Sequence, residues 1–70
     1  MTYDLNRSDY ESLHIPMNAS ILSDKAWGRV VREFNRRIES LIRRNGREPD
    51  SVEKMWAMES AGLACGMKYM

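Results

Sequence analysis

Apolar residues fall four, three, four and three positions apart at Trp27, Val31, Phe34, Ile38 and Leu41. That spacing, widened by Val30 and Ile42, predicts one amphipathic helix. Signals at both ends bound it to residues 23–45. Ser23 is a good N-cap, because its hydroxyl can accept from a free amide of the first turn, and Asp24 suits the positive end of the helix dipole. Leu22 and Trp27 fit a hydrophobic staple across that start. Arg43 and Arg44 lie near the negative pole, and Asn45-Gly46 supplies a left-handed stop.

A short turn, Arg47-Glu48-Pro49-Asp50, follows. Asp50 and Glu53 then form an N-cap and N3 pair, which predicts a second helix over 51–65. Val52, Trp56, Leu63 and Met67 make one stripe on it, and Met55, Met58, Gly62 and Cys65 a neighbouring one. The apolar arc is wider than one partner helix needs. The small residues Ala57, Ala61 and Cys65 recur every four, as do Gly62 and Gly66, which permits close helix approach. Tolerated small residues in a crowded seam are the plainer account. Gly62 and Gly66 each weaken the last turns by roughly 1 kcal/mol relative to alanine, so fraying or a break is expected between them.

Upstream, residues 1–7 read as a loose terminus. Ser8 and Glu11 have the spacing of a capping box and predict a short helix over 8–14, with Tyr10, Leu13 and His14 on one face. Pro16 limits it, since the residue before a proline is pushed out of the helical region. In 15–22 the residues Ile15, Met17, Ala19 and Ile21 alternate as in a strand. A connecting loop that drops apolar side chains onto the core is the preferred reading. The short turn between the two helices favours antiparallel neighbours. The expected fold is therefore all-α: one domain over 1–70, a helical hairpin crossed by a short N-terminal segment. A hairpin alone would leave Trp56 and several methionines wet, and a symmetric dimer forming a four-helix bundle would cover them.

Size sharpens that expectation. A chain of 70 residues buries only about 60% of its unfolded surface, so its core is marginal without reinforcement. Cys65 is the only cysteine and His14 the only histidine, which leaves neither an internal disulfide nor a metal framework. Self-association or docking on a partner is the remaining reinforcement. The N-terminus has no apolar signal core, and no run approaches the roughly 18 apolar residues of a membrane span. With a lone cysteine, these features make cytoplasmic the default expectation.

Charge adds a second theme. Residues 24–47 carry eight basic and three acidic side chains, a net +5, between flanks of −2 each. Arg29, Arg36 and Arg43 recur every seven residues, Arg32 lies between the first two, and Arg37, Arg44 and Arg47 add to the C-terminal half. Guanidinium groups suit phosphate and carboxylate alike, so the ridge fits nucleic acid or an acidic protein. It also fits a plain solvated face, helped by Glu33 to Arg37 and Glu39 to Arg43 at i, i+4. Seven arginines and no lysine between 29 and 47 is an unusual choice for solubility alone. Met55, Trp56 and Met58 are the candidate apolar interface, because flexible thioethers suit a surface that adapts to a partner; ordinary core is the plainer account.

Catalytic chemistry finds little support. Cys65 and His14 are the only nucleophile and base of that type, they lie in different segments, and Cys65 has apolar neighbours. No carboxylate pair, phosphate-binding glycine loop or cofactor motif occurs. A non-enzymatic chain without cofactor or metal is expected.

One stretch carries a resemblance. Asn45-Gly46-Arg47, Asp50-Ser51 and Met58-Glu59-Ser60 resemble the turn and second helix of ribbon–helix–helix repressors. The match spans residues 45–60. It implies a small DNA-binding dimer whose ribbon would be Ile15 to Ile21, with Asn18 and Ser20 facing DNA and the Ser51 amide near a phosphate. The helix before the turn is longer than that family uses, and Pro16 falls inside the ribbon. The leading expectation is an accessory or inhibitor protein that docks on a larger protein, a type common among phage and mobile-element regulators. Arg29, Arg32, Arg36 and Arg43 would meet an acidic patch on it, and Met55, Trp56 and Met58 an apolar one. A dimeric DNA-binding regulator is the alternative.

Overall fold

The cap and stop signals of the central helix work as their chemistry requires. In the computed structural model, which describes residues 3–70, helix α1 runs Asp24–Asn45. The Ser23 hydroxyl accepts from the Ala26 amide at 3.2 Å. Gly46 closes the other end in the left-handed region at φ 68°, its amide donating to the Ile42 carbonyl at 2.8 Å. Val30, Phe34 and Ile38 are its buried residues.

Helix α2, Ser51–Ala64, opens on the Asp50–Glu53 capping box with both reciprocal bonds made. Glu53 also accepts from Arg47 Nη1 at 2.9 Å and from Asn45 Nδ2 at 3.1 Å. One carboxylate thus ties the end of α1, the turn and the start of α2 together, and the hairpin forms as expected. The inward face of α2 is its small-residue face. Its buried residues are Ala57, Ala61 and Gly62, whereas Val52, Trp56 and Leu63 are exposed. Small residues let the backbones approach; a bulky stripe turned inward would hold the helices apart. The break expected between Gly62 and Gly66 falls after Ala64, and Gly62 itself is packed within the helix. Its missing side chain leaves the space filled by Tyr10, Met17 and Met67, and α2 continues to Ala64 before Cys65 caps it and Gly66 reverses the chain at φ 91°.

The N-terminal part is more ordered than expected. Met1 and Thr2 lie outside the described residues. From Tyr3 onward the chain is a strap across the hairpin, and the loose terminus expected for 1–7 is corrected there. The Tyr3 amide donates to Asn35 Oδ1 at 2.6 Å, its hydroxyl bonds Glu48, and Leu5 is buried. A 3-10 helix covers Arg7–Ser12 in place of the helix expected at 8–14. It starts with Asp9 accepting from the Asn6 amide at 2.8 Å, two residues before the Ser8 and Glu11 pair. Tyr10 and Leu13 are buried while His14 is exposed. Fully enclosed, Tyr10 donates to the Met58 carbonyl at 2.7 Å and meets Trp27 edge-on at 5.9 Å. Burial pushes its phenol pKa above the ordinary range.

Residues 15–22 combine both readings of the sequence. Met17–Asn18 is a short strand, β1, followed by a 3-10 turn at Ala19–Ile21. Strand β1 pairs antiparallel with β2, Lys68–Tyr69, with Met17 opposite Tyr69. Met17 and Ala19 are buried, and Ile15 and Ile21 are exposed. The molecule is therefore mostly helical with one two-stranded clasp. Its core collects Tyr10, Met17, Val30, Phe34, Ile38, Ala61 and Met67 from every part of the chain. The strap lies over Met55 and Met58, while Trp56 stays exposed. Among the described residues no helix is long and apolar enough to cross a membrane.

Candidate functional site

The seven-residue repeat of Arg29, Arg36 and Arg43 keeps them near one line on α1, at steps of about 10 Å. All three are exposed, as is Arg32. Arg29, Arg32 and Arg36 line an open groove that reaches Ala64 and Cys65 at the end of α2. Arg36 and Arg43 line the next groove with Glu39 and Ser40. The fold thus brings the four ridge residues onto one side of the molecule.

Their internal neutralisation is partial. Glu33 binds Arg36 at 2.9 Å and Arg37 at 3.5 Å. Arg47 is spent on Glu53 at 2.9 Å, so it belongs to the turn and not to the ridge. Among the described residues Arg29, Arg32, Arg43 and Arg44 make no ion pair, and the pairing of Glu39 with Arg43 expected at i, i+4 does not form. An exposed pair of that kind is worth only a few tenths of a kcal/mol, too little to fix two solvated side chains.

The candidate apolar interface separates. Met55 and Met58 are half-buried beside Asp9, Ser12 and Leu13 of the strap, where they serve the fold. Trp56, on the opposite side of α2, is 65% exposed. It borders a groove of about 220 Å³ between the helices, lined by Arg37, Ser40, Leu41 and Arg44 of α1 and by Glu53, Ala57 and Ser60 of α2. Val52 and Leu63, 49% and 47% exposed, continue the Trp56 strip along α2. Sequence reading missed this arrangement because Arg37 and Arg44 sit to the side of the ridge. Only the packing of α2 decides which flank of α1 meets Trp56. The Arg37 Nε is buried without an acceptor among the described residues.

The remaining sequence candidates lie elsewhere. Cys65 is a half-buried free thiol at the Arg29–Arg32 groove, and His14 is not among the groove's lining residues. Asn18 accepts from the amide and hydroxyl of Ser20, at 3.2 and 2.5 Å, and β1 pairs within its own chain. The Ile15–Ile21 ribbon implied by the repressor resemblance is replaced by these local contacts. Arg7, which the sequence did not single out, is structural. It donates to the Ala19 and Leu22 carbonyls and to Asp24, and stacks over Trp27 at 5.3 Å.

The fold is a small helical hairpin in which Trp56 shares a groove with Arg37 and Arg44, while Arg29, Arg32, Arg36 and Arg43 line separate grooves. Comparison with protein-family models, curated proteins and solved structures gives no match.

Proposed function

We propose that this chain is a non-enzymatic docking module, an accessory or inhibitor protein that binds a larger cytoplasmic protein through the face shared by α1 and α2. The observation that carries this reading is the exposed Trp56 sharing a groove with Arg37 and with Arg44, which makes no ion pair among the described residues. Arginine and tryptophan are the residues that dominate protein interfaces when they converge on one patch. A solvated face has no use for an indole at 65% exposure beside Val52 and Leu63.

The apolar part of the docking surface is Val52, Trp56 and Leu63, in place of Met55, Trp56 and Met58. The charged part is Arg29, Arg32, Arg36 and Arg43, with Arg37 and Arg44 at the groove. The DNA-binding alternative would use the same ridge for phosphates, without the ribbon.

The test is a pull-down with the full chain and with the charge-reversed triple variant Arg29→Glu, Arg36→Glu, Arg43→Glu. One defined protein is expected to co-purify with the natural chain and to be lost with the variant. In parallel, the chain is titrated with duplex DNA from about 50 to 200 mM salt, where phosphate contacts reveal themselves by a steep loss of affinity. Tight, salt-sensitive DNA binding without a protein partner would transfer the ridge to the alternative reading.

A further inference from the structure

Helices α1 and α2 each turn a row of the same spacing into the groove that Trp56 borders. Arg37, Ser40, Leu41 and Arg44 line it from α1, and Glu53, Trp56, Ala57 and Ser60 from α2. Both rows step by three, one and three residues, so each runs about 10 Å along its helix. Arg37 and Arg44 are the two ends of the α1 row, with Leu41 between them. On the facing row Ala57 is buried and Trp56 exposed. The volume of about 220 Å³ is below the roughly 300–1,000 Å³ of pockets that enclose a cofactor or drug-sized molecule. It leaves room for one large side chain.

Charge sets the rest of the occupant. Glu53 is satisfied within the chain: its Oε1 accepts from Arg47 and from the Asp50 amide, and its Oε2 from Asn45. Arg47 therefore neutralises it. Arg37 shares Glu33 with Arg36. Arg44 is exposed and makes no ion pair among the described residues. The groove is left with one uncompensated cation beside an indole, which suits an apolar side chain with a carboxylate next to it.

A second copy does not offer that combination. Among the described residues, only Val52 of its exposed large apolar side chains adjoins an acidic residue in sequence, and that residue is Glu53, already bound. Single-stranded nucleic acid is held by successive aromatic platforms along a cationic track. The other exposed aromatic among the described residues, Tyr69, has its hydroxyl on the carboxylate of Glu59 at 2.6 Å, where a phosphate would be repelled.

We infer, resting on the docking function proposed above, that this groove is the anchor site for a short acidic-aromatic segment of the partner protein. One aromatic side chain of the segment lies against Trp56, Leu41 and Ala57, because offset or edge-on contact with an indole favours a ring over an aliphatic chain of equal area. The carboxylate of an adjacent residue pairs with the Arg44 guanidinium.

The probe is a blocked pentapeptide, Gly-Glu-Phe-Glu-Gly, whose ring has a carboxylate on each side so that either strand direction serves. It is titrated into the isotope-labelled full chain while backbone amide and indole resonances are followed. Shifts are expected to concentrate on residues 37–44 and 53–60, the Trp56 indole included. Gly-Gln-Phe-Gln-Gly and Gly-Glu-Ala-Glu-Gly are each expected to bind at least about tenfold more weakly. Trp56→Ala and Arg44→Ala are expected to weaken the parent peptide by a similar factor, whereas Lys25→Ala, an equal change in net charge elsewhere on α1, leaves it unaltered. All three substituted residues are exposed, and the amide dispersion of each variant checks that the fold is kept. Equal affinity for the glutamine or the alanine peptide would overturn the inference, as would shifts centred outside the groove or none at all. So would a loss with Lys25→Ala equal to that with Arg44→Ala, which reduces the attraction to net charge. An oligothymidylate of about six bases that shifts the same residues at lower concentration would give the groove to nucleic acid instead. If the peptide fails while the pull-down still yields a partner that the charge-reversed variant loses, the inference falls alone. If both fail, the docking function falls with it.

Discussion

Gly28 and Gly62 are both helical glycines, yet a side chain added at each meets opposite surroundings. At Gly28 a Cβ would have nothing within 4 Å; at Gly62 it would lie 3.1 Å from the Tyr10 ring and 3.2 Å from both Met17 and Met67. Gly28→Ala is therefore expected to stabilise the protein by about 1 kcal/mol through helix propensity alone. In thermal melts that corresponds to roughly 4–8 °C. Gly62→Ala has the same propensity gain, offset by overpacking of about 1–3 kcal/mol against a ring that cannot turn aside. Its melting temperature is expected at or below that of the natural chain. A Gly62→Ala protein melting as high as Gly28→Ala would show that Tyr10 does not press on α2 there. Nothing in the local sequence separates the two glycines. Each interrupts a helical pattern, and only residues distant in the chain give Gly62 its role.

At the scale of elements, the strap is the part that depends on one side chain. Arg7 holds the 3-10 helix to the turn at Ala19–Ile21 and to the start of α1, using two carbonyls, one carboxylate and the face of Trp27. Lysine keeps the charge but lacks the planar fork. Arg7→Lys is expected to cost about 1–3 kcal/mol. Amide hydrogen exchange should speed up across 7–22 more than across α2. Uniform acceleration over the whole chain would mean that the strap and hairpin open as one unit and that Arg7 is no separate clamp. The two long helices were readable because their caps and periodicity are local. The strap was less so. Asn6 with Asp9 and Ser8 with Glu11 offer two starts with the same spacing, and the choice between them rests on where Tyr10 and Leu13 find the core.

For the molecule as a whole, the dimer anticipated from the hairpin loses much of its physical motive. Met17 and Met67 are enclosed within one chain, and Met55 and Met58 are half-covered by the strap. Val52, Trp56 and Leu63 stay exposed on α2, and Ile15, Ile21, Tyr69 and Met70 stay exposed around the clasp. Sedimentation equilibrium at micromolar concentration is expected to return the monomer mass of 8.2 kDa. A Trp56→Ala variant should sediment as the natural chain does. A dimer that Trp56→Ala dissolves would instead assign the strip to a second copy and leave the ridge alone for a partner.

The sequence by itself determined what depends on neighbours along the chain. Helix lengths follow from periodicity, ends from hydroxyl, carboxylate and glycine chemistry, and the arginine row from a repeat of seven. Tertiary structure decided which side of α2 faces inward. Its apolar arc was too wide to choose a face, and the choice went to Ala57, Ala61 and Gly62 because close helix packing admits small side chains only. That choice sends Trp56 outward, moves Met55 and Met58 under the strap, and sets Arg37 and Arg44 across a groove from the indole. The ridge was legible as a feature of one helix. The groove that Trp56 shares with Arg37 and Arg44 belongs to two helices, and its composition follows from the packing between them.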